Sequence, residues 1–185
     1  DLPVAFSQGF HPLPKITFAS ALPVGCTSDC ELMDVILSEP MAPSEVVARF
    51  VPALPAGIAV TSVMQVPLSA PALQAELRWA EYVVTVETDE AREQIEQKVR
   101  AFLAAPTLPR ERRGKSYDLR PLVLSLSTEA VHDSSVQIVM RLQADANAGT
   151  GRPDEVLDAL GWSDAFVQIH RRKLGFSDAE RRMTV

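Results

Sequence analysis

Short runs of apolar side chains, each ending near a Pro or Gly, dominate the first third of the chain. Residues 16–22 combine β-branched and aromatic positions, and residues 31–39 alternate apolar with polar positions, so both runs predict strands. Residues 43–54 begin with a Pro and repeat apolar positions at helical spacing, which predicts a helix. Residues 58–66 follow a Pro-Ala-Gly breaker and predict a further strand.

The second half of the chain carries the same signals over longer stretches. Its clearest helix spans residues 89–105, where Ile95, Val99 and Phe102 form an apolar stripe between an acidic start and a basic end. The remaining pattern predicts strands over 81–88, 122–130, 134–144 and 166–176, a turn at His132-Asp133-Ser134 and a short helix over 153–160.

Two segments of the chain repeat one another. The stretches PSEVVARF (43–50) and PDEVLDAL (153–160) share Pro-x-Glu-Val, and each lies between a pair of strands and a single strand. The second copy is preceded by its own strand and helix, which completes the order β-α-β-β-α-β of a ferredoxin-like unit. The sequence therefore predicts an α+β protein of tandem ferredoxin-like (βαββαβ) units with antiparallel sheets, the first unit lacking its opening strand and helix.

The repeat also predicts the domain boundaries. We expect a first ferredoxin-like unit over residues 1–66, incomplete at its N-terminus, a connector over 67–80, a second unit over 81–176 and a polar tail over 177–185. The absent strand and helix are expected upstream of Asp1, unless another segment substitutes for them. A sheet without one of its strands leaves apolar surface uncovered. A C-terminal element or a homodimer formed through the incomplete sheet would cover it.

Composition and charge narrow the range of partners. The chain has 185 residues, of which 46% are hydrophobic and 23% charged, and its net charge of −6 disfavours non-specific nucleic-acid binding. A polyanion would have to meet a local basic patch. No apolar run approaches the ~20 residues that span a bilayer, and the start of the chain does not resemble a secretory leader. We therefore expect a cytoplasmic protein without a membrane partner.

The sequence does not indicate metal chemistry. Cys26 and Cys30 are the two cysteines, and two ligands do not complete a structural zinc or iron–sulfur site. A disulfide between them is disfavoured in the cytosol. We expect ordinary loop cysteines, no metal site and no cofactor in this chain.

The first candidate site is the stretch SQGFHPLPK (7–15). It places His11, which exchanges protons near neutral pH and can bind a phosphate, between Gln8 and Lys15. Contact with RNA phosphates, acid–base catalysis by His11 and a purely structural loop are the alternatives that these residues leave open.

The second candidate site is the basic stretch RERRGKSYDLRP (110–121) on an otherwise acidic protein. Such a segment can follow a phosphate backbone while Tyr117 stacks on a base, or it can form a solvated edge loop. A Gly-rich loop before the helix at 153–160 adds a further basic residue, Arg152. Acidic side chains at the start of that helix would, however, repel an anion bound there. The candidate phosphate ligands of these two segments are Arg112, Arg113, Lys115, Arg120 and Arg152.

The opening stretch LPVAFSQGFHPLPKITFASALPVG is similar to the signature of the radical SAM-linked proteins, a domain of unknown function associated with radical SAM/cobalamin-binding proteins. The similarity continues through ELMDVILSEPMAPSEVVARF and RPDEVLDAL to IHRRKLGF, so it covers nearly the whole chain. The resemblance implies a radical SAM partner, fused or encoded nearby, that carries S-adenosylmethionine and an iron–sulfur cluster and acts in RNA or ribosome modification. The three-cysteine motif of such enzymes has no match here, so Cys26 and Cys30 inherit no role from it.

Together these features predict an accessory domain that recognises RNA, either tRNA or rRNA, for the partner enzyme. One alternative is an enzyme that processes or modifies RNA itself, with His11 as acid or base. The other alternative is an adaptor that docks on the radical SAM protein without binding RNA.

Overall fold

The computed structural model describes residues 1–132 and 134–177, so Asp133 of the predicted turn and most of the predicted tail lie outside it. The strands are β1 (Ile16–Phe18), β2 (Cys26–Ser28), β3 (Met33–Val35), β4 (Leu77–Glu87), β5 (Pro109–Arg112), β6 (Lys115–Asp118), β7 (Val123–His132), β8 (Ser135–Asp145), β9 (Gly149–Thr150) and β10 (Val167–Phe176). The helices are α1 (Pro43–Phe50), α2 (Leu73–Glu76), α3 (Arg92–Ala104) and α4 (Pro153–Ala159). Within the described ranges, every helix is too short or too polar to cross a bilayer.

The main sheet contains β2, β10, β4, β8 and β7 in that order, and β9 pairs with β8. Its neighbouring strands are antiparallel, except that β2 and β10 are parallel. Apart from the small strands β5, β6 and β9, residues 77–176 follow the order β4, α3, β7, β8, α4, β10, which is the element order predicted for the second unit. The fold is therefore mixed α+β, with antiparallel and mixed sheets.

The core lies where this sheet meets α3 and α4. Every second residue of β8 is apolar, and Val136, Ile138, Met140 and Leu142 are fully buried. Successive side chains of a strand point to opposite faces, so this alternation places one face of β8 in the core. The apolar stripe predicted for α3 is buried against it.

Residues 1–68 form smaller pieces. β1 and β3 pair as an antiparallel two-stranded sheet, both are shorter than predicted, and α1 has no buried residue. The prediction of a strand over 58–66 is wrong, since these residues form no strand and are mostly exposed. A strand needs a neighbour that bonds its backbone, and the described part of the chain supplies none to this segment.

Three short features differ from the predictions made on periodicity. β2 forms within the cysteine-containing loop because its register places it beside residues 169–171 of β10. The basic stretch forms the antiparallel pair β5–β6. The predicted connector 67–80 contains α2 and the first residues of β4. Elements of two to four residues contain too few alternations for a periodic signal.

Candidate functional site

Residues 7–15 form a closed loop, here termed the finger loop. The Leu13 amide donates to Ser7 Oγ at 2.9 Å, and the Ser7 amide donates to the Leu13 carbonyl at 2.8 Å. The Lys15 amide donates to the Ala5 carbonyl at 2.8 Å. Hydrogen bonds therefore hold the two ends of the loop together.

The predicted site residues of the finger loop lie in solvent. Gln8, His11 and Lys15 are all exposed. Gly9 has a φ of 134°, which L side chains rarely adopt, and no atom beyond the two adjoining residues lies within 4 Å of a Cβ built there. The loop thus turns at Gly9 with open space on one side, and its hydrogen-bonding side chains are free to meet a ligand.

The second predicted site is a hairpin, here termed the basic hairpin (β5, β6 and their turn). Arg113 and Gly114 form the turn with φ values of 52° and 75°. Two successive positive φ values match the tight turns whose twist fits a two-stranded hairpin. Arg113 and Lys115 are both exposed at this tip.

Arg112 is engaged within the protein. Its Nε donates to Glu155 Oε1 at 2.8 Å, and a second guanidinium nitrogen donates to Glu155 Oε2 at 2.5 Å and to the Thr150 carbonyl at 3.1 Å. The guanidinium also lies 4.9 Å from the centre of the Tyr117 ring. Arg112 therefore fastens the basic hairpin to α4.

Burial of Glu155 by itself would raise the pKa of its carboxyl group. Hydrogen bonding from Arg112 and Tyr117 and the charges of Arg112 and Arg152 together outweigh that effect, so the pKa lies below its usual range. Glu155 is consequently a carboxylate at neutral pH, and the charged pair with Arg112 is intact there.

Arg120 also bonds to the protein itself. Its Nε donates to the Leu103 carbonyl at 3.2 Å, and its terminal nitrogen donates to the Val123 carbonyl at 2.9 Å. Asp118 Oδ1 accepts the amides of Leu108 at 2.7 Å and Arg120 at 3.0 Å. These two residues therefore stabilise the base of the basic hairpin.

The structure attaches the basic hairpin, and the strand that follows the finger loop, near the same end of the main sheet. Arg112 bonds to Thr150 in β9, which pairs with the last residues of β8, and the end of β8 lies opposite the start of β4. β1 follows the finger loop, and Phe18 is its last residue. Gln74 of α2, the helix directly before β4, donates from Nε2 to the Phe18 carbonyl at 2.6 Å and so fastens the end of β1 near the start of β4. Arg152 is exposed at the start of α4, next to the basic hairpin.

Another polar array lies at the junction of β2 and β10. Thr27 Oγ1 lies 2.9 Å from His170 Nδ1, and His170 Nε2 lies 3.0 Å from Asp29 Oδ2. A carboxylate only accepts, so a neutral His170 donates from Nε2 to Asp29 and accepts the Thr27 hydroxyl at Nδ1. No pattern in the sequence indicates this array, because His170 is 143 positions from Thr27 and only the parallel register brings them together.

Arg171 makes the buried contact between the two halves of the chain. It is 1% exposed, donates to both Glu31 oxygens at 2.9 and 3.1 Å, and donates to the carbonyls of Ser20 and Ala21 at 3.0 and 3.1 Å. Its guanidinium lies 5.5 Å from the centre of the Tyr82 ring. This residue ties β10 to the loops that flank β2.

The cysteines beside this junction are free thiols. Burial raises the pKa of both thiol groups, and the nearby positive charge of Arg171 offsets only part of that effect. Both cysteines are therefore neutral at physiological pH. Within the described residues, three or more His, Cys, Asp or Glu side chains nowhere converge in a way that could hold a metal ion.

These features define a mixed α+β protein that presents two exposed polar segments. The chain belongs to the family described as an uncharacterized protein conserved in bacteria (DUF2344), which matches residues 1–153. This membership confirms the prediction that the chain is a domain of unknown function. The predicted association with a radical SAM protein rests on the sequence resemblance alone.

Comparisons with individual proteins give little further similarity. No curated protein matches the chain significantly. Among solved structures, a chain in "Crystal Structure of a Cbf5-Nop10-Gar1 Complex" is similar over 57% of this chain, with 15% sequence identity and a TM-score of 0.42. The match covers 34% of that neighbour, so this chain corresponds to about a third of its length.

Proposed function

We propose that this chain is an RNA-recognition module, for tRNA or rRNA, that serves a radical SAM enzyme as its partner. The observation that carries the proposal is a set of exposed cationic and hydrogen-bonding side chains on two fixed segments of an acidic protein. Phosphate contacts position an RNA, and Lys, Arg, Gln and His supply them. The proposed contacts are Gln8, His11, Lys15, Arg113, Lys115 and Arg152.

Arg112 and Arg120 have a different part in this proposal. Both donate to groups of the protein, so they orient the basic hairpin instead of binding phosphate. A hairpin already fastened to α4 loses little freedom when its tip meets an RNA. Arg113 and Lys115 then make the contacts.

The architecture of the proposal is a tandem of ferredoxin-like units in a cytoplasmic protein. The strand order β10-β4-β8-β7 supports a ferredoxin-like second unit. The pair β1–β3 with α1 supports an incomplete first unit, whose open face a strand and helix from elsewhere or a second copy of the chain would cover.

A protein-docking adaptor is the second candidate function. Of the exposed large hydrophobic side chains in the described residues, all but Leu124 and Phe166 lie within residues 1–68. Concentrated exposed apolar surface is typical of protein interaction sites. Co-purification of the radical SAM partner in the absence of any RNA affinity would favour the adaptor over the recognition module.

The test of RNA recognition is equilibrium binding to tRNA across salt concentrations from about 50 to 200 mM. Binding is expected to weaken steeply with salt. The double variant Arg113→Ala/Lys115→Ala should bind more weakly and reduce the slope of log affinity against log salt by about two.

The matched control removes the same charge from the exposed face of a helix, as Arg92→Ala/Arg100→Ala on α3. It should leave the slope unchanged. Absence of salt-sensitive binding, or an equal loss in the control, contradicts the proposed function.

A further inference from the structure

The finger loop presents an aromatic ring to solvent. Phe10 is 102% exposed and stands between Gly9 and His11. Full exposure means that the ring makes no packing contribution to the described structure, so its role is not to fill a core. Such a ring keeps both of its faces available to a planar ligand.

The loop that carries this ring is closed before any ligand arrives. The paired hydrogen bonds between Ser7 and Leu13 close its base, and Pro12 and Pro14 restrict the backbone on the C-terminal side of the ring. Binding to a fixed loop costs less conformational entropy than binding to a loop that must first be ordered. Because Phe10 is fully exposed, a flat group can approach its ring without meeting a neighbouring side chain.

The residues around the ring identify the chemistry of the ligand. Gln8 offers an amide that can bond to the edge of a base, while His11 and Lys15 can bond to phosphate. An aromatic ring flanked by donors and a cation is the combination by which proteins hold unpaired nucleotides. A ligand that covers Phe10 meets these groups, which favours a nucleotide over an aliphatic protein surface.

We propose that Phe10 stacks on an unpaired base, so that the finger loop selects a single-stranded stretch of RNA. This inference rests on the proposed RNA recognition and makes it more specific. It assigns the phosphate contacts to His11 and Lys15 and the stacking contact to Phe10. Duplex RNA keeps its bases stacked on one another and offers no such partner.

The experiment measures binding of a single-stranded oligoribonucleotide that carries 2-aminopurine, with a duplex of the same sequence for comparison. Wild type should prefer the single strand and change the fluorescence of 2-aminopurine on binding. Phe10→Leu keeps an apolar side chain without a π face and should weaken binding by about tenfold, whereas Phe10→Tyr should stay within roughly twofold. Leu13→Ala, an exposed apolar change in the same loop, should have little effect.

Two results would overturn the inference in different ways. If wild type binds the single strand and Phe10→Leu binds equally well, stacking by Phe10 is wrong while RNA recognition stands; loss of partner docking in that variant would then assign the ring to a protein contact. If wild type binds neither strand form, the proposed function itself fails and this inference fails with it. An equal or greater affinity for the duplex also contradicts the selection of single strands.

Discussion

At the scale of single residues, the two neighbours Arg171 and Arg172 show how position along a strand decides the role of a charge. Arg171 is buried and bonded to Glu31 and two backbone carbonyls, whereas Arg172 is partly exposed and pairs with Glu81 on the sheet. A buried cation is tolerated only when its donors are engaged. Both terminal nitrogens of Arg171 meet that condition, and only its buried Nε has no partner among the described residues. Arg171 therefore acts as a link between the two halves of the chain.

Replacement of Arg171 should therefore be costly. Arg171→Ala removes a buried cation and leaves the partly exposed Glu31 carboxylate and two carbonyls without their donor, so we expect a loss of about 1–3 kcal/mol in the free energy of unfolding. Urea-induced unfolding measures it. Lys173→Ala removes an exposed cation from the same strand and should change stability by less than about 0.5 kcal/mol. Equal losses in the two variants would show that Arg171 is not the link described.

At the scale of elements, the ion pair between Arg112 and Glu155 decides whether the basic hairpin is docked on α4. Glu155 has a pKa below its ordinary value of 4.5 in the folded protein. Because the pKa of Glu155 is lower in the folded protein than in the unfolded chain, its contact with Arg112 stabilises the fold fully at pH values above the unfolded-state pKa. This stabilisation is lost as the pH falls through the folded-state pKa. The hairpin is thus docked at neutral pH and released in acid.

Hydrogen-exchange protection of residues 109–118 measures this docking. Protection should be constant near neutral pH and fall as pH drops below about 4.5. Glu155→Gln should lower protection at neutral pH and remove the further loss in acid. Glu111→Gln, an exposed change on the hairpin, should behave as wild type. A wild-type protein whose hairpin protection stays constant down to pH ~3 would contradict the role given to this pair.

At the scale of the whole molecule, the chain divides into a well-packed part and an open part. The buried core belongs mostly to residues 77–176, while the exposed hydrophobic side chains belong mostly to residues 1–68. Segments with few buried contacts open more readily than the core. The open part is therefore expected to gain most from a partner that covers it.

Hydrogen exchange across the whole chain checks this division. Backbone amides of β4, β8 and β10 should exchange slowly, and those of residues 58–66 should exchange quickly because the segment has no strand partner in the described structure. Similar protection in the two regions would mean that residues 58–66 are paired in solution, as a strand over this segment would require.

Periodicity in the sequence predicted the long elements and missed what depends on distant contacts. α3 and β8 are visible because each repeats its apolar period several times. The engagement of Arg112 was not predictable, since its partner Glu155 is 43 positions away and is brought close only by the fold. Exposure of the finger loop agrees with its composition, but the hydrogen bonds that close it follow from backbone geometry that a sequence pattern does not contain.

The most direct test of the account locates an RNA on the protein surface. A tRNA transcript that contains 4-thiouridine is cross-linked to the protein by near-ultraviolet light, and the modified peptides are identified by mass spectrometry. We expect adducts in residues 7–15 and 113–115 that disappear when unlabelled tRNA competes. Adducts confined to other parts of the chain, or no adduct that unlabelled tRNA displaces, would contradict it.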